Sequence, residues 1–210
     1  MRRTTASDET RARILEATRD LAVEEGFSRF TIEKVAARAG VSRMTVYYQF
    51  GSKAELLEAL FDHLAERGRL ERLGEAFRDP DPLSGLERFI EVFSDFWASD
   101  PVGIRRLRSW AALEPGYEKS GYGRDAWQRQ GLEVLVGRIR EVYGVPAAEA
   151  VADVVDLLHA LLSPESHAKL SRSGRSPEEV AALLKRAAWA VLGVGDRRGT
   201  GGSAGSGGGA

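Results

Sequence analysis

Cysteine is absent from the 210 residues. That excludes disulfide scaffolds, thiolate metal sites and cysteine nucleophiles, and it fits a reducing cytoplasm as the expected location. No apolar run approaches the roughly 18 residues of a membrane helix, so no membrane partner is expected. The opening Met1-Arg2-Arg3-Thr4-Thr5 leads into charge rather than an apolar core, unlike a secretory signal. An excess of one charge sign is missing too: 30 Lys+Arg stand against 31 Asp+Glu. This balance excludes a uniformly basic nucleic-acid coat and an acidic tail, while leaving local asymmetry to be sought segment by segment. His63, His159 and His167 show no HExxH-type spacing, so neither metal nor cofactor is expected. Gly121-Tyr122-Gly123 lacks the spacing and the preceding strand of a phosphate loop.

What is present is helical periodicity almost throughout, and the fold class expected is all-α. A first helix is predicted from about Asp8 to Glu25, with Ile14, Ala17, Thr18, Leu21 and Ala22 on one face. Thr31 is placed to cap a short helix that ends at Gly40, and Ser42 to cap a second from Arg43 to about Tyr48. Ser52-Lys53-Ala54-Glu55 reads as a capping box opening a helix that persists to about Phe77. After the break at Asp79-Pro80-Asp81-Pro82, Leu86, Phe89, Ile90, Phe93 and Trp97 form the stripe of a core-facing helix. Further helices are predicted from Asp100-Pro101, around Leu132–Tyr143, between Pro146 and Ser163, and from the capping box Ser176-Pro177-Glu178-Glu179. Glu114–Gly123 is expected to loop. From Gly199 to Ala210 only Gly, Ser, Thr and Ala occur, the composition of a flexible tail.

The informative stretch runs from Ser28 to Lys53. Arg29, Lys34, Arg38, Arg43 and Lys53 face the single acid Glu33, a local excess of four positive charges in a nearly neutral chain. Two short helices around the tight turn Gly40-Val41-Ser42 make a helix-turn-helix, whose second helix is sized for a major groove about 12 Å wide. Val46 and Phe50 should face the core, leaving Arg43, Met44, Thr45, Tyr47, Tyr48 and Gln49 outward with groups suited to base edges and phosphates.

Residues 30–57, FTIEKVAARAGVSRMTVYYQFGSKAELL, resemble the DNA-binding domain of the tetracycline-repressor (TetR) family of bacterial transcription factors. The likeness runs through Thr31, Ile32, Val35, Ala36, Ala39-Gly40-Val41-Ser42, Tyr47, Phe50, Ser52-Lys53 and Leu56-Leu57. It implies an N-terminal three-helix DNA-binding domain (1–53), a helical ligand-binding and dimerisation domain (54–195) and a Gly/Ser-rich disordered tail (196–210). It implies that Thr31 and Ser42 cap helices and touch phosphate, and that Arg43, Met44 and Thr45 read bases. Tyr47, with Tyr48 and Gln49 beside it, would meet backbone or base, and Lys53 a phosphate at a helix N-terminus. Met44 stands where the family often has a small residue; it offers an apolar contact to a thymine methyl.

Outside that segment two features bear on function. Aromatic residues cluster between Phe89 and Trp127; Phe93, Trp97, Trp110, Tyr122 and Trp127 are the expected lining of a cavity for a small organic effector. Between Pro146 and Ser163 apolar residues follow two helical stripes, so one must be covered by something outside the protomer. With the helix after Ser176, this points to a homodimer interface containing Val154, Leu157, Leu161, Leu184 and Ala188. The expected function is a ligand-responsive transcriptional regulator, a repressor released by its effector from double-stranded pseudo-palindromic DNA. An enzyme, or a helical binding module with a basic corner, is the competing class. No nucleophile–base pair, metal cluster or cofactor loop supports the enzyme.

Overall fold

The computed structural model describes residues 6–26, 30–111 and 118–194, with side chains described throughout except at 110–125. Those residues form helices and connecting turns, with no strand among them. The N-terminal helices are α1 (Ala6–Glu25), α2 (Ile32–Ala39), α3 (Arg43–Phe50) and α4 (Lys53–Arg67). A 3-10 turn (Leu70–Arg72) and α5 (Leu73–Arg78) lead to α6 (Pro82–Ser99), α7 (Pro101–Ala111) and α8 (Glu118–Tyr143). The chain continues through α9 (Val151–Leu161), α10 (Pro164–Ser171) and α11 (Pro177–Leu192). The Gly/Ser tail, Arg29 and the stretch 112–117 lie outside the described residues.

Ile14, Leu21 and Ala22 of α1 are buried with Val35, Ala36, Val46, Phe50 and Leu57, closing a small core around the first four helices. The second core is built on α6, which buries Leu86, Phe89, Ile90, Phe93, Phe96 and Trp97. Against it pack α5, α8 and α11, bringing in Leu132, Leu135, Val136, Ile139, Val180 and Leu184. Asp81 caps α6 by accepting from the Leu83 and Ser84 amides, and Tyr143 donates its hydroxyl to the same carboxylate.

Three expectations need correction. The helix after Ser52 stops at Arg67 instead of reaching Phe77. At Gly68 a β-carbon would lie 2.4 Å from Phe96 Cδ2, so only glycine admits α6 there. Arg69 then takes a left-handed φ of 57°, which α-helix continuation forbids. The capping box is half formed: Ser52 Oγ accepts from the Glu55 amide at 3.1 Å. The Ser52 N–H, however, donates to the Phe50 carbonyl at 2.8 Å, leaving nothing for Glu55 to accept. Finally, α8 already begins at Glu118, within the expected loop. Each helical glycine costs only about 1 kcal/mol, which a helix of 26 residues absorbs.

Helix α10 was not anticipated. Its start repeats the local code of α11: Ser163 caps by accepting from the Ser166 amide, with Pro164 at the first turn.

Candidate functional site

Each short N-terminal helix is fixed by hydrogen bonds reaching only three residues along the chain. Thr31 Oγ1 accepts from the Lys34 amide at 3.3 Å, and Ser42 Oγ from the Thr45 amide at 3.0 Å. Between them Gly40 takes φ 67°, and the Val41 amide donates back to the Ala36 carbonyl at 3.0 Å. This left-handed stop strongly favours a residue without a β-carbon and turns the chain within three residues. Ile32, Val35, Ala36 and Ala39 bury one face of α2, while Val46 and Phe50 bury one face of α3. The opposite side of α3 is thereby forced outward.

That outward side is apolar where a free surface would normally be polar. Tyr48 is 88% exposed, Met44 74% and Tyr47 38%, three large apolar groups on a helix of eight residues. Among the described residues nothing covers most of Met44 or Tyr48, and exposed apolar clusters of this kind mark contact surfaces. Arg43 sits beside them, its Nη1 3.0 Å from Glu33 Oε1 with both side chains more than half exposed. Glu33 is held below the usual carboxylate range chiefly by its own backbone N–H, and also by Arg43 and the Thr31 hydroxyl. A solvated pair like this is worth little and opens readily when a stronger anion arrives.

The structure redistributes the remaining predicted residues. Thr45 is half-buried, its hydroxyl 2.9 Å from that of Ser42. Lys53 Nζ lies 5.3 Å from the Phe30 ring centroid, at the first turn of α4. Gln49 points elsewhere than expected: its side-chain amide nitrogen donates to Ser7 Oγ at 3.1 Å, and its backbone carbonyl accepts from Arg11 at 2.9 Å. It ties α3 to the start of α1 instead of facing outward. Lys34 and Arg38 pair with Glu25 and Glu24 at the end of α1. Part of the apparent positive excess is therefore spent inside the protein, on acids that precede the segment. Arg11, over the Phe50 ring at 4.3 Å, is a positioning residue that periodicity alone did not reveal.

A second site lies beyond α4. A cavity of about 320 Å³ is lined by Phe61, Ala65, Leu70, Phe93, Phe96 and Trp97, with Arg108, Trp127 and Gln128 completing it. It contains three of the five predicted lining residues. The side chains of Trp110 and Tyr122 lie outside the described set. Phe61 was assignable only to a core stripe and Gln128 carried no signal in sequence, while Arg108 reads there, with Arg105 and Arg106, as a solvated face or a contact for an acidic ligand group. Trp97 Nε1 and Gln128 Nε2 both donate to the Leu162 carbonyl, at 2.9 and 3.3 Å, which fixes the cavity floor to the end of α9.

The two sites are bridged at α7. Arg19 of α1 donates to both oxygens of Asp100, at 2.7 and 3.0 Å, and Asp100 in turn accepts from the Gly103 amide at the start of α7. Burial pushes the Asp100 carboxyl up, but Arg19 and the Gly103 N–H outweigh that and hold it below its usual range. Glu16 of α1 meets His63 and Arg67 of α4 in parallel, at 2.8 and 3.0 Å.

On the expected interface, Leu157 is 53% exposed and Leu161 half-buried. Val154, Leu184 and Ala188 are instead at most 5% exposed within the protomer. Residues already in the protomer's own core have no surface left to give a partner, so the outward face is carried by Leu157, Leu161 and Leu183.

The geometry defines an all-helical protein with an N-terminal helix-turn-helix and a cavity-bearing helical region behind it. Residues 14–60 match the family described as "Bacterial regulatory proteins, tetR family". The chain is 38% identical to the HTH-type transcriptional regulator TtgR of Pseudomonas putida over 91 residues, 42% of this chain and 43% of that protein. It is 26% identical to the HTH-type transcriptional regulator EthR of Mycolicibacterium smegmatis over 183 residues, 85% of this chain and 84% of that one. Its fold is that of a crystallised putative TetR-family regulator from Rhodococcus sp., with a TM-score of 0.72 and 19% identity over 88% of this chain and 99% of the other. In its N-terminal residues the chain is similar to the TetR family, and its match to TtgR spans less than half of that protein's length.

Proposed function

We propose that this protein is a DNA-binding transcriptional regulator of the cytoplasm, a homodimeric repressor released from its operator by a small organic effector. The observation that carries the reading is the exposed Met44, Tyr47 and Tyr48 beside Arg43 on a rigidly capped α3. A helix N-terminus entering the major groove brings Arg43, Met44 and Thr45 to base edges, with the tyrosines and Lys53 reaching phosphates. Residues 1–53 act as the DNA-binding domain and 54–195 as the regulatory and dimerisation domain. The α9–α11 face around Leu157 packs on its two-fold mate and sets the separation of the two α3 helices. Filling the cavity shifts α7, and the Arg19–Asp100 link carries that shift to α1. A coupling of about 1–3 kcal/mol suffices for a working switch.

Selection of a random duplex pool on the purified protein tests this reading. The expected product is an inverted repeat with half-sites about one helical turn, roughly 10 base pairs, apart or a multiple of that. Failure to enrich any symmetric sequence overturns it.

A further inference from the structure

The surface that α3 presents carries an acid at its edge. Between residues 28 and 53 Glu33 is the single Asp or Glu, and it stands beside the residues proposed to meet DNA. It follows the cap Thr31 in the first turn of α2. Its Oε1 lies 3.0 Å from Nη1 of Arg43, the first residue of α3. Both side chains are more than half exposed, so neither is needed to fill the core. A carboxylate in this place works against affinity, because on docking it faces a polyanion. Arg43 is also the one charged residue of α3, so whatever directs it decides how this helix uses its charge. The cations of α2 are already directed elsewhere: Lys34 pairs with Glu25 and Arg38 with Glu24.

We propose that Glu33 is a specificity-determining residue that directs Arg43 to a base edge and away from phosphate. The proposal rests on the DNA-binding reading above. A guanidinium has several N–H groups in a planar fork. Glu33 meets that fork at Nη1, which leaves the Nε–Nη2 edge for the O6 and N7 acceptors of a guanine. On a duplex with guanine at that position, Arg43 reads the base and keeps its carboxylate, so the pair stays neutral as it docks. On any other duplex the strongest acceptor within reach is a phosphate. Arg43 can take it only by leaving Glu33, whose carboxylate then stands uncompensated against the DNA. Exposed pairs contribute little to folding, so the penalty arises only at the DNA surface. The arrangement weakens binding to wrong sequences and leaves the right one nearly untouched, which is discrimination gained without a new attractive contact. An ordinary surface pair would do neither.

Anisotropy titrations of the full chain over a range of salt, on the operator selected from the random pool and on a scrambled duplex of equal length, test the assignment. Glu33→Gln should bind the scrambled duplex about threefold to fivefold more tightly and the operator within about twofold of wild type. The salt slope on the scrambled duplex should steepen by about 0.9, one phosphate contact, as Arg43 is released. In an Arg43→Ala background the same substitution should leave that slope unchanged, because no guanidinium remains to be released. An equal gain on both duplexes, or an equal gain with and without Arg43, would reduce Glu33 to general repulsion and overturns the proposal. Unaltered affinity for both duplexes, as for a purely structural pair, overturns it too. So does a loss of operator affinity traced to a single cytosine, as for a direct base contact. Absence of binding to any duplex overturns the DNA-binding reading instead, and the role of Glu33 with it.

Discussion

The helix-turn-helix and the cavity region place their aromatic residues in opposite ways. On α3, Tyr48 and Met44 stand largely in solvent. On α6, Phe89, Phe93, Phe96 and Trp97 are almost fully buried against one another. In the first region apolar surface is left in solvent, and stability comes from caps and a small core. In the second, the same residue types supply the stability and leave only a residual space. A substitution should therefore separate fold from function in α3 and confound them in α6.

The largest expected effect breaks the second region. Phe89→Ala removes a ring 1% exposed and packed against Phe77 and Phe93, and should cost about 3–5 kcal/mol in chemical denaturation. A loss below about 1 kcal/mol would show that this core tolerates a void the contrast does not allow.

Next comes the joint between the regions. Arg19→Ala leaves Asp100, 4% exposed, without its cation. Because Arg19 itself is partly exposed, the expected cost is about 2–3 kcal/mol, below that of a fully buried pair. The acid limb should change as well. In the wild type the folded carboxyl lies below its unfolded value, so its contribution is complete above about pH 4 and lost as pH falls through the folded value. Denaturation of Arg19→Ala from pH 7 to 3 should lose that contribution to acid sensitivity. An unchanged acid limb would mean the pair does not act as a joint.

A smaller effect distinguishes the regions by pH. His167, in α10, is 5% exposed, and its Nε2 has no hydrogen-bond partner among the described residues. Burial lowers its affinity for a proton. The unfolded chain therefore takes up a proton first, and stability should decline as pH falls below about 6.5, by at most about 1.4 kcal/mol per unit until the folded value is passed. His167→Gln should flatten this slope; a slope that survives must come from another group.

The smallest effect sharpens the first region. Lys53→Ala should leave the melting temperature nearly unchanged and reduce the salt dependence of duplex binding by about one phosphate contact. Loss of affinity at unaltered salt slope would remove the phosphate role.

The same contrast explains what was legible in the sequence. Thr31, Ser42 and Ser52 cap helices through amides three residues away, so the N-terminal helices could be read from local spelling, and with them the outward side of α3. Gln49 could not be placed, because its partner Ser7 lies 42 residues earlier. The break in α4 depends on Phe96, and the joint between α1 and α7 on a pair 81 residues apart. The expected interface residues divide between inside and outside for a related reason. Periodicity finds the apolar positions of α9 and α11 but does not say which stripe the protomer itself covers. Leu184 and Ala188 turned inward, and Leu157 outward.

The central claim is that the apolar groups on α3 are kept exposed for DNA. Anisotropy titration of an operator duplex and its single-base-pair variants, comparing wild type with Met44→Ala and Tyr48→Ala, tests it most directly. Both variants should unfold within about 0.5 kcal/mol of wild type. Met44→Ala should lose about 1–3 kcal/mol of discrimination at a particular base pair, and Tyr48→Ala should bind all duplexes more weakly. Wild-type affinity and an unchanged base-pair profile in both variants would contradict the account.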